Sequence, residues 1–246
     1  VDEQIFSART FKKGDARPGG YRSTGGHGGV LGSASHQIQV WYVPRYRHTA
    51  TSEVALSRLP NEVSFQEYGD SAENASIRIK EDDGSLRSDA IAPVHIVKYG
   101  HFMAEGDTSD PDVEVDIMSR IERALSQQAD VSPESPNFHG FVLEAAAGSG
   151  SALPSQLAAL AIAAFNGLPV VRVGRGDPEG ALATTPTDLT IEGSNLDATK
   201  ARVLLRATIL KFGRLPKARD PRSPTQRERE AVLSAIAKYQ SIFDSH

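Results

Sequence analysis

Residues 140–175, GFVLEAAAGSGSALPSQLAALAIAAFNGLPVVRVGR, constrain the fold more than any other part of this chain. Residues 141–143 read as a short apolar strand that breaks into a loop of small residues, 145–151. A helix is predicted over 155–166, where Leu157, Leu160, Ala161 and Ala164 recur at helical spacing and Gly167 stands where a C-terminal cap belongs. The next strand, 168–173, is apolar without alternation, as a parallel strand covered on both faces must be. Strand, glycine-rich loop, helix and strand make one βαβ unit. The chain is therefore predicted to be α/β, with a parallel sheet flanked by helices, and its loop falls where open α/β sheets bind ligands.

The same reading places strands near 94–98, 140–144 and 168–173 and helices near 112–128, 154–166 and 197–212. The third of these helices has Asp197 or Thr199 near its start and Val203, Leu204, Ile209 and Leu210 as its predicted buried face. A last helix opens at Ser223-Pro224, with Val232, Ile236, Tyr239 and Ile242 on one side. Upstream, 37–43 reads as a strand in which Ile38, Val40 and Tyr42 alternate with Gln37, Gln39 and Trp41. Such a strand needs a sheet to join, so its partner sheet is expected on another polypeptide. The stretch 61–89 is rich in Glu, Asp, Ser and Gly, and partial mobility is expected of it. Three regions follow: 1–49, a β segment; 50–92, a linker with an acidic insert; and 93–246, the α/β domain.

Several motifs resemble one family. The run 140–175, with its glycine-rich loop, helix and Val170-Val171-Arg172 strand, is similar to the small C-terminal domain of bacterial-type asparaginases and glutaminases. Asn195-Leu196 followed by Lys200-Ala201-Arg202-Val203-Leu204-Leu205 resembles the family's N-L-x-x-x-KAR-x-LL signature. Asp2-Glu3, Ile5 and Ser7-Ala8-Arg9 look like the segment that precedes the interdomain linker. Arg45, Arg47, His48, Thr49, Ser52 and Glu53, then Leu59-Pro60 or Pro93-Val94-His95-Ile96-Val97, resemble the linker and the first C-domain strand. The order and spacing of these matches carry the resemblance together.

In that family a larger N-terminal domain carries a threonine nucleophile in a TGG-type loop and a second threonine beside an aspartate and a lysine. The matches here begin after those groups, and the chain opens on Val1 and not Met. The expectation is a processed or split product, joined to a separate N-terminal asparaginase-like chain in an assembly of several such pairs. This chain then contributes no catalytic residue, needs no cofactor or metal, and helps to enclose a small-molecule carboxamide. The resemblance assigns substrate binding to Gly148, Ser149, Gly150 and Ser151, where the family typically has asparagine and serine offers a shorter reach without the amide. The same loop also reads simply as small residues that let strand and helix pack closely. The family's acidic residue before the KAR helix has no clean counterpart; Asp188 and Glu192 are the candidates, and as residues each reads as solvated surface.

Other features are discounted. Ser23-Thr24-Gly25-Gly26-His27-Gly28-Gly29 imitates a threonine loop, but 14–20 ahead of it is turn material, and a nucleophile needs rigid support after a strand. His95 and His101 are too far apart for a compact ligand pair, and His48 falls in the linker motif. Asp107, Asp110, Asp112, Glu114 and Asp116 suit a helix start without any ion. A net charge of -4 with scattered Lys and Arg gives no nucleic-acid footprint, no apolar run is long enough for a membrane helix, and zero cysteines remove disulfides and thiol chemistry. Three readings stand: an amidohydrolase subunit, the same scaffold recruited for other small-molecule chemistry, and a non-catalytic binding or structural subunit.

Overall fold

The parallel sheet is present and has four strands: β8 (Val94–Lys98), β9 (Gly140–Glu144), β10 (Val170–Val173) and β11 (Ile191–Glu192), in the order β11-β10-β9-β8. The computed structural model describes residues 3–23, 29–44, 46–47, 49–67, 73–98, 121–126, 138–145, 154–174 and 189–246. Each strand pairs in parallel with the next in the chain, so every connection must cross over a face of the sheet. Phe141, Leu143, Leu168 and Val170 pack on one side against Leu160 and Ala163 of helix α1 (Pro154–Phe165) and against Ile121 and Ala124 of the helical residues 121–126. On the other side, Val142, Val171, Val173 and Ile191 meet Leu205 and Ile209 of α2 (Ala198–Phe212) and Val232, Ile236, Tyr239 and Phe243 of α3 (Gln226–Ser245). Both faces are covered, and that is why the strands lack polar alternation.

Local signals set the helix ends. Asp197 caps α2 by accepting the Lys200 N–H at 2.9 Å, and Thr225 caps α3 in a reciprocal capping box with Glu228. Gly167 ends α1 with φ at 87°, a conformation a side chain would resist. The expected face of α2 needs correction. Val203 is 60% exposed, and the buried stripe is Ala198, Ala201, Leu205, Thr208, Ile209 and Leu210. The 3.6-residue period that runs through Ala198, Ala201 and Leu205 puts Val203 on the opposite side.

The polar insert contains an antiparallel hairpin, β6 (Glu62–Glu67) with β7 (Glu73–Arg78). Val63 and Ile77 pair across it, and both join Leu59, Ile79, Ala90 and Ala92 in the larger core. Average composition hid this alternation. The Lys80 ammonium also donates to the Leu59 carbonyl at 2.6 Å, which closes the base of the hairpin.

The N-terminal region forms two small antiparallel units. In the first, β1 (Gln4–Phe6), β4 (Val30–Ala34) and β5 (Ile38–Val40) lie in the order β1-β4-β5. Gly32 is required there, since a Cβ would stand 2.0 Å from the Gln39 carbonyl oxygen. In the second, β2 (Phe11–Lys13) pairs with β3 (Tyr21–Ser23), and the Phe11 and Tyr21 rings stack at 4.7 Å. This corrects one argument from the sequence. The turn at 14–20 is present, but a short strand, β3, stands between it and Thr24, which itself lies outside the described residues together with Gly25, Gly26, His27 and Gly28.

Candidate functional site at the carboxyl ends of the parallel strands

In a sheet of this kind the ligand-binding loops follow the carboxyl ends of the strands. Gly148, Ser149, Gly150 and Ser151 fall in sequence between the end of β9 at Glu144 and the start of α1 at Pro154. Their placement lies outside the described residues, as does that of Asp188, His48, His101 and the acidic residues 107–116. The structure does describe the strands that lead into those loops.

These strands hold a buried ion pair. Arg172 of β10 and Glu192 of β11 are register partners, and both Nε and Nη2 of Arg172 donate to Glu192 Oε1, at 3.1 and 2.7 Å. Their side chains are only 4% and 11% exposed. Gln240 of α3 holds the Glu192 backbone from the outside, accepting its N–H at 2.8 Å and donating to its carbonyl at 3.1 Å. A two-residue edge strand is thereby tied both to β10 and to α3. The expectation of a solvated Glu192 is overturned: residue spacing alone gave no sign that its strand partner would be an arginine.

Beyond β11 the chain turns through Ser194, at φ 52°, into Asn195 and the α2 cap. Here the two motifs of the sequence meet. Arg9 Nε donates to Asn195 Oδ1 at 2.6 Å, and the Arg9 guanidinium lies 4.1 Å over the Tyr46 ring. The Lys200 ammonium donates to the carbonyl of Arg9 at 2.9 Å and to that of Phe11. Burial holds the Lys200 pKa below the usual lysine range; Asp197 opposes that shift, while Lys12 and Arg9 add to it. The N-terminal segment is thus tied to the turn that leaves the sheet.

The histidines sit at the opposite end. His95 is the second residue of β8, His139 immediately precedes β9, and their rings lie parallel at 6.1 Å. His139 is buried, and its pKa is pushed down to about 4 from 6.5, first by burial and then by the charge of His95. Among the described residues no group of three ligand-type side chains forms. The pair bears on stability. Because the folded state refuses a proton that the unfolded chain accepts, the stability of native His139 is fully present above pH 6.5 and falls as the pH drops toward 4. We expect acidification across that window to cost the wild type about 2 kcal/mol more than a His139→Gln variant, after allowance for screening. Urea titrations at pH 7.5 and pH 4.5 measure it; equal losses in the two proteins refute it.

Comparison with known proteins adds one decisive likeness. The chain is similar to the crystal structure of a probable cytoplasmic L-asparaginase from Campylobacter jejuni, with a TM-score of 0.54 and 19% sequence identity, over 100% of this chain and 56% of that one. The fold is asparaginase-like. No family model and no curated protein sequence matches the chain. The chain thus spans little more than half the length of the asparaginase it superposes on.

Within this asparaginase-like fold, sequence reasoning missed the Arg172–Glu192 pair, the His95–His139 stack and the meeting of Arg9 with Asn195 and Lys200. One signal was available for the first: Arg172 is the lone charge in the otherwise apolar stretch 168–173. A charge in a strand buried on both faces requires a partner. No comparable sign marked the junction, because Arg9 and Lys200 are 191 residues apart.

Proposed function

We propose that this chain belongs to an asparaginase- or glutaminase-like amidohydrolase, and that it completes a threonine-dependent site supplied mainly by a separate N-terminal chain. The observation that carries this reading is the junction of Arg9, Asn195 and Lys200: two segments read as asparaginase motifs close on each other within an asparaginase-like fold. In the proposed reaction a threonine hydroxyl of the companion attacks the substrate carboxamide carbon, and the C–N bond breaks with loss of ammonia. Water then hydrolyses the acyl-threonine ester, releasing the acid and restoring the hydroxyl. This chain contributes the loop Gly148, Ser149, Gly150 and Ser151, which follows β9 in sequence and whose hydroxyls would bind the substrate's polar groups, and several such pairs assemble around the sites.

The test is ammonia release from asparagine and glutamine by the native assembly, with the companion sequenced. Release that is abolished by replacing the companion's threonine, and whose KM rises on Ser149→Ala or Ser151→Ala, supports the reading. A stable assembly that releases no ammonia from either amide sinks it. One observation favours a second reading, in which the scaffold serves other small-molecule chemistry: Glu192, one of the two candidates for the family's acidic residue before the KAR helix, is committed to Arg172. Hydrolysis of bulkier or less polar amides, with asparagine and glutamine inert, would select that reading over both the first and a non-catalytic subunit.

A further inference from the structure

The linker and the last helix meet at a serine and a histidine that are 194 residues apart in the chain and lie outside the site described above. Ser52 Oγ stands 2.8 Å from Nε2 of His246, the C-terminal cap of α3. On the other side of the ring, Nδ1 lies 3.0 Å from the Ile242 carbonyl and 3.0 Å from Ser245 Oγ, whose own hydroxyl donates to the Ser241 carbonyl at 2.8 Å. A carbonyl can only accept, so Nδ1 of the neutral ring carries the proton and Nε2 is the acceptor. The Ser52 hydroxyl therefore donates to Nε2. Both partners are held in place. The short helical turn Thr49–Thr51 leads into Ser52, and the Val54 N–H donates to its Oγ at 3.2 Å. The Arg47 N–H donates to the Ser245 carbonyl at 2.8 Å, which fixes the linker against the end of the helix. Glu53 is engaged elsewhere, by Arg47 at 2.8 Å and Lys211 at 3.8 Å. Burial first, and then the charges of Arg47 and Arg9, hold the His246 pKa below its usual value, against the Ile242 bond and the charge of Glu53.

We propose that Ser52 is the nucleophile and His246 the general base of a second acyl-transfer site, one that hydrolyses small carboxylic esters. A hydroxyl within hydrogen-bond reach of a base, with the base oriented by a third group, is the arrangement this chemistry requires. Ser52 Oγ attacks the ester carbonyl carbon as its proton passes to Nε2; the C–O bond then breaks, and the alkoxide takes that proton from the imidazolium and leaves as the alcohol. Water, giving its proton to Nε2, cleaves the acyl-serine to the acid and restores the hydroxyl. The third group selects the substrate. The Ile242 carbonyl steadies an imidazolium less than a carboxylate does, so the pair suits an ester, whose alkoxide departs more readily than the amine of an amide. The Arg47 side chain is 43% exposed, and its charge, with that of Arg9, favours the negative oxygen that develops at the carbonyl. Ser52 itself is only 8% exposed, which favours a short acyl group such as acetyl. The site uses neither a threonine nor a companion chain, so it stands or falls apart from the amide hydrolysis proposed above.

The experiment treats the full chain with a small alkyl fluorophosphonate, from whose phosphorus a serine oxygen displaces fluoride, and sequences the modified peptide. One adduct, at Ser52, is expected, together with hydrolysis of 4-nitrophenyl acetate that both the adduct and Ser52→Ala abolish. In His246→Gln labelling should slow about 100-fold, because glutamine keeps a hydrogen bond to Ser52 but cannot take its proton. With the His246 pKa below 6.5, the wild-type rate should hold at neutral pH and fall in more acid solution, and His246→Gln should lose that profile. Labelling of the wild type decides the matter even if a variant fails to fold: no adduct, or an adduct on another side chain, overturns the proposal. Equal labelling of the wild type and a folded His246→Gln overturns it as well, and leaves the contact as a tie between the linker and α3.

Discussion

Glu192→Ala should destabilise the protein by about 3–5 kcal/mol, because it removes the carboxylate that accepts two hydrogen bonds from the buried Arg172 guanidinium between β10 and β11. The side chain of Arg172 is only 4% exposed, so water cannot replace the lost carboxylate without opening the sheet edge. Glu192→Gln keeps an acceptor oxygen but not the charge and is expected to recover only part of the loss. The double replacement Arg172→Met with Glu192→Leu removes both desolvation penalties together and should fall within about 1 kcal/mol of the wild type. Urea unfolding of the four proteins gives the coupling directly. If Glu192→Ala costs less than about 1 kcal/mol, the pair is open to solvent and the account fails. Hydrogen exchange supplies the local signature: in Glu192→Ala the amides of 191–197 should lose protection before those of β9, since only the short ladder to β10 and Gln240 then hold the edge strand.

How much of this was legible in the sequence depends on the range of the interactions. The βαβ core could be read because its causes are local: apolar strands, helical spacing in α1, and Gly167 at the helix end. The Asp197 cap and the Val232, Ile236, Tyr239 and Ile242 face of α3 were readable for the same reason. Where two buried faces compete, local spacing misled: Val203 and Leu204 were both counted on the inner face of α2, although adjacent helical residues lie about 100° apart. Composition misled at 61–89, where a few apolar residues, Val63, Ile77 and Ile79, suffice to dock a hairpin whose other side is polar. The location of the candidate site was legible in the βαβ unit, and only the roles of its residues came from the resemblance. Its buried ion pair depends on which strands become neighbours, and no residue count along the chain reveals that Arg172 will stand beside Glu192.

Lys200→Met should release the N-terminal segment from the α/β domain at a cost of about 2–3 kcal/mol, as expected when a charged donor to two backbone carbonyls is removed. Methionine keeps the aliphatic stem and most of the volume, so the core beneath, at Ala201 and Leu205, is left intact. The carbonyls of Arg9 and Phe11 then lose the Lys200 donor, while the Arg9–Asn195 bond remains. Two readouts separate this from general loss of stability. Limited proteolysis should cut within residues 3–23 at least 10-fold faster while a fragment containing β8 to α3 persists. If the function proposed above holds, the same variant should raise the KM for amide more than it lowers kcat, because the turn at 193–197 that Arg9 steadies leaves the carboxyl end of β11, the end at which sheets of this kind bind ligands. Arginine at the position carries the charge on a planar fork that two converging carbonyls do not match, so Lys200→Arg should restore only part of the protection. If Lys200→Met leaves both proteolysis and KM unchanged, the junction is a surface contact and the N-terminal segment is held by its own strands.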